Sequence, residues 1–61
     1  MYRIIWTTFT NEDGAIRSRL QQTEPMSRTD AKKMIRQIFD DETKNDNIIN
    51  IQILLKKYET V

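Results

Sequence analysis

One glycine and one proline, Gly14 and Pro25, are all that interrupt this 61-residue chain. Because these two residue types punctuate regular structure most strongly, the backbone has two marked breaks with long unbroken stretches around them. Before the glycine, Tyr2 to Phe9 is almost wholly β-branched or aromatic, which suits a pleated surface and predicts a first strand over residues 2–9. Asn11-Glu12-Asp13-Gly14 supplies a hairpin turn, with Gly14 free to take positive φ. Residues 15–23 then alternate Ile16, Ser18 and Leu20 against Arg17, Arg19 and Gln21, the period of a half-buried second strand.

The proline ends that strand, since it cannot donate to a ladder and holds Glu24 extended. A helix follows. Ser27 is placed to cap it, and Asp30 three residues on completes a variant of the capping box, with Met26 and Ala31 in the flanking apolar positions. Ala31, Met34, Ile35, Ile38 and Phe39 recur at helical spacing and form one apolar stripe. Asp40-Asp41-Glu42 meets the unfavourable end of the helix dipole, so the helix is expected to end near there. Lys44 to Asn47 is a loop, and residues 48–58 read as a third strand, with Ile49, Ile51, Ile53 and Leu55 on one side and Asn50, Gln52, Leu54, Lys56 and Tyr58 on the other.

The expected fold is therefore α+β, a single domain over residues 1–61 with element order ββαβ. Its sheet has three antiparallel strands in order 2-1-3, and the helix packs on one face. Under the helix stripe this reading places Ile16, Leu20, Ile49, Ile51, Ile53 and Leu55 together with Ile4 and Trp6. Nothing in the chain is left to cover the opposite face. By period, that face carries Arg3, Ile5, Thr7 and Phe9 on strand one, Arg17, Arg19 and Gln21 on strand two, and Asn50, Gln52, Leu54, Lys56 and Tyr58 on strand three.

Several chemistries lack their residues. With neither cysteine nor histidine, the chain has no disulfide, no thiolate, no Cys-based zinc site and no imidazole base. Glu12-Asp13 and Asp40-Asp41-Glu42 do not match a calcium loop, and no glycine-rich phosphate loop is present. The expectation is a non-enzyme with no catalytic residue, metal or cofactor. Ile4-Ile5-Trp6 and Ile53-Leu54-Leu55, the longest apolar runs, fall far short of the roughly 20 residues that span a bilayer. Met1-Tyr2-Arg3-Ile4 leads directly into strand sequence rather than a signal peptide, so a cytoplasmic location and no membrane partner are expected. Disorder is disfavoured: the net charge is only +1, and Leu, Ile, Val and Phe make up 15 of 61 residues.

A cationic and aromatic face on so small a domain points to binding. The leading expectation is a small interaction protein, a homodimer or an adaptor or inhibitor of a larger protein, working through Arg3, Ile5, Phe9, Arg17, Arg19, Gln52, Leu54, Lys56 and Tyr58. The alternative is a single-stranded nucleic-acid binder. Phe9 and Tyr58 would then stack on bases while Arg3, Arg17, Arg19 and Lys56 hold phosphates, although a sequence pI of 8.1 is low for that role. A structural account competes with both: arginine and lysine stems lying over Ile5, Phe9 and Leu54 to shield them from water. A third mode is addition of a partner strand to the exposed edge of strand three.

Overall fold

The computed structural model describes residues 1–59, and its element order is the one the sequence predicts. Strand β1 spans Tyr2–Glu12, β2 Ala15–Gln22, helix α1 Arg28–Glu42 and β3 Ile48–Lys57. The sheet runs β2-β1-β3 with both pairings antiparallel. The hairpin turn is tighter than the sequence suggests. Glu12 pairs with Ala15 across Asp13 and Gly14, whose φ values of 52° and 83° are both in the left-handed region. Positive φ at both central residues makes this a two-residue turn whose twist matches the flanking strands, and aspartate followed by glycine is one of the pairs that tolerate it.

Beyond Pro25, Tyr2 and Met26 exchange backbone bonds of 2.7 Å each, tying the linker to the start of β1. Ser27 then caps α1, its hydroxyl accepting from the Asp30 N–H at 3.2 Å. Replacing Ser27 with alanine orphans that donor and is expected to cost about 1 kcal/mol. Urea unfolding followed by the fluorescence of Trp6, the only tryptophan, measures it. The helix ends at Glu42, where the Thr43 hydroxyl donates to the Phe39 carbonyl at 2.7 Å and satisfies one orphan acceptor.

The core is narrow. Ile4 is fully buried, and Trp6, Ala31 and Ile38 are nearly so, with Tyr2, Met26, Met34, Ile35, Ile51 and Ile53 packed around them. The helix lies over β1 and β3 and does not reach β2. Four residues expected beneath it are exposed, Ile16 and Leu20 because their side of β2 faces away from α1. Ile16 and Leu20 are 68% and 70% exposed, and Ile49 and Leu55 are 55% and 44% exposed. For Ile49 the cause is a bulge: β3 slips against β1 between Phe9 and Thr10, so Ile48 pairs with Thr10 and Ile49 becomes the extra residue. Leu55 faces the helix side opposite Ile4, on the outer strand.

Candidate functional site

Pairing decides which side chains share the uncovered face. A two-residue turn sets even-numbered residues of β1 opposite odd-numbered residues of β2, so Trp6 meets Gln21, Thr8 meets Arg19 and Thr10 meets Arg17. Directly opposed residues point to the same side of a sheet. Since Ile4 and Trp6 point to the helix, Arg17, Arg19 and Gln21 lie on the helix side, and Ile16, Ser18 and Leu20 lie on the open side. The expectation that Arg17 and Arg19 join Ile5 and Phe9 is thus corrected. Alternation within β2 separates its two sets of residues but carries no sign; the turn supplies the sign.

The other seven expected residues are brought together. Arg3 faces Lys56, Ile5 faces Leu54, and Thr7 faces Gln52 across the β1–β3 ladder, with Phe9 opposite Asn50. On the β2 side, Ile5, Thr7 and Phe9 are flanked by Gln22, Leu20 and Ser18, and Ile16 stands beside Asn11 near the turn. The face thus carries five large apolar side chains among uncharged polar ones: Ile5 and Phe9 are half-buried, while Leu20, Ile16 and Leu54 stand out, the last 58% exposed. Ile16 and Leu20 are the members that strand periodicity alone assigned to the core. Counting pairs outward from Asp13-Gly14 is the sequence signal that finds them.

Charge is confined to one end. The Arg3 guanidinium and the Lys56 ammonium each lie 5.3 Å from the centre of the Tyr58 ring. That distance is within reach of a cation–π contact and engages the ring. Phe9, the second aromatic side chain, is far away: it lies eight positions along the chain from Met1, which bonds Tyr58, or about 26 Å at ~3.3 Å per residue.

On the helix side the uncovered part of β2 forms the floor of a groove of about 430 Å³, lined in part by Thr8, Thr10, Arg17, Arg19, Glu42 and Asn45. Arg17 meets Glu12 there, Nε to Oε2, at 3.1 Å. Both partners are largely exposed, so the pair adds little stability. Among the described residues no three acidic side chains gather in a way that could hold a metal ion, and no helix is long and apolar enough to cross a membrane. Comparison with protein-family models, curated proteins and solved structures finds no match.

Proposed function

We propose that the protein is a non-enzymatic, cytoplasmic interaction protein that docks the uncovered face of its sheet onto the surface of a larger protein, as an adaptor or inhibitor. The observation that carries this is the set Ile16, Leu20 and Leu54, each more than half exposed, together with Ile5 and Phe9 on a face that no other element among the described residues covers. Several large apolar side chains gathered on one side of a sheet mark an interaction surface more often than scattered single residues do. The basic end around Arg3 and Lys56 supplies a polar rim. Binding would also compensate the thin core, because a partner that binds only the folded chain stabilises it.

The same geometry weakens the nucleic-acid reading. Arg17 and Arg19, two of its four phosphate contacts, lie on the far side of the sheet, and the two rings stand too far apart to stack on neighbouring bases. A photo-reactive residue at Ser18, on the open face, is expected to trap the partner in cells, and one at Lys33, on the exposed side of α1, is not. Adducts from position 33 alone would overturn the proposal. Fluorescence anisotropy with labelled RNA and DNA at low salt is expected to show no binding; tight, salt-sensitive binding would favour the alternative.

A further inference from the structure

We infer that a second copy of the chain joins along the free edge of β3, forming one six-stranded antiparallel sheet whose two helices pack side by side. This goes beyond docking through the open face and does not depend on it. Among the described residues β3 is paired only with β1, and from Ile48 to Leu55 it contains no charged residue. Edge strands that stay single are normally guarded by charge, proline, a bulge or a covering element. Here the bulge at Ile49 and the lysines Lys56 and Lys57 guard only the two ends and leave Asn50 to Leu55 open.

The backbone is oriented for pairing. Met1 and Tyr58 exchange backbone bonds, 2.8 Å from the Tyr58 N–H and 3.2 Å from the Met1 amino group. By alternation along the unbroken register from Tyr2 to Phe9, Leu54 and Gln52 bond β1, whereas Ile51, Ile53 and Leu55 direct their N–H and C=O groups outward. A two-fold axis through Ile53, perpendicular to the sheet, sets Leu55 against Ile51 and Leu54 against Gln52 of the other copy, and no lysine meets a lysine.

The helix layer argues for the same occupant. α1 lies over β1 and β3, so edge pairing separates the two helices by about two strand spacings, ~10 Å, the distance at which helices pack. The flank that would meet its copy offers apolar side chains: Ile35, Phe39 and Ile53 line a hollow there together with Lys32 and Arg36, and Phe39 is 51% exposed. The axis keeps both helices on one side and both open faces on the other, so the dimer doubles the docking platform.

Amide hydrogen exchange on the wild-type chain tests this without a substitution. Between about 20 µM and about 1 mM, exchange at Ile51, Ile53 and Leu55 is expected to slow at least ~10-fold, while Gln52 and Leu54 stay protected throughout. Fast exchange at those three amides at the highest concentration, or a monomer there by sedimentation equilibrium, would overturn the proposal. So would protection that appears only when a different protein is added. Phe39→Glu is expected to weaken the dimer at least ~30-fold with Trp6 fluorescence unchanged, and Leu20→Lys, on the open face, to leave it intact. The reverse pattern would mean that the copies meet face to face.

Discussion

Replacing Ile4 with alanine is expected to unfold a large share of the molecules in the absence of denaturant. Among the described residues Ile4 is the one large side chain with no exposure at all, in the central strand and beneath the helix. Truncating a buried isoleucine to alanine costs about 2–5 kcal/mol, through lost transfer energy and the cavity left behind. A 61-residue domain has a total stability of only ~3–9 kcal/mol. A core of Ile4, Trp6, Ala31 and Ile38 with a partly buried fringe places it in the lower half of that range. Far-UV circular dichroism and Trp6 emission during urea titration report the change together. Leu20→Ala is the control: at 70% exposure it should shift stability by no more than about 0.5 kcal/mol. If Ile4→Ala behaved like Leu20→Ala, the helix–sheet contact would not be what holds the fold together.

The elements were legible in the sequence because each has a local cause. A β-branched run, an Asp-Gly turn, a proline break, a serine cap and a helical stripe all act within a few residues, and the strand order follows from joining them by short antiparallel connections. What was not legible depends on relations between elements. Nothing in β2 says that the helix stops short of it. With neither face of β2 buried, the turn rather than a core fixes its register, and Ile16 and Leu20 point away from where their apolar character suggests. Ile49 leaves the core through a bulge that no residue type announces. Phe39 sits at the margin of the helix stripe, because eight residues at about 100° each carry it ~80° round from Ala31, onto the β3 flank. Seven of the nine expected site residues share a face because β1 and β3 carry their period through the helix contact. The two that do not, Arg17 and Arg19, are those on the strand that lacks it.

That distinction gives the second large effect. The double substitution Ile16→Lys and Leu20→Lys is expected to leave the fold intact and to weaken partner binding at least ~100-fold, about 2.7 kcal/mol. Stability is spared because both side chains already stand in water and neither meets a charge across the strand: Ile16 pairs with Asn11 and Leu20 with Thr7. Binding is not spared, since each substitution removes an apolar anchor and obliges the interface to bury an unpaired ammonium. Arg17→Ala with Arg19→Ala is the matched pair on the other side of the same strand, and it should change affinity less than about twofold if docking uses the open face. Isothermal titration of both double variants against the protein trapped from position 18 separates the readings. An arginine-dependent affinity insensitive to Ile16 and Leu20 would move the working surface to the helix-side groove. The opposite result would make the phase of β2, set by two turn residues, the feature that turns a half-covered sheet into a docking face.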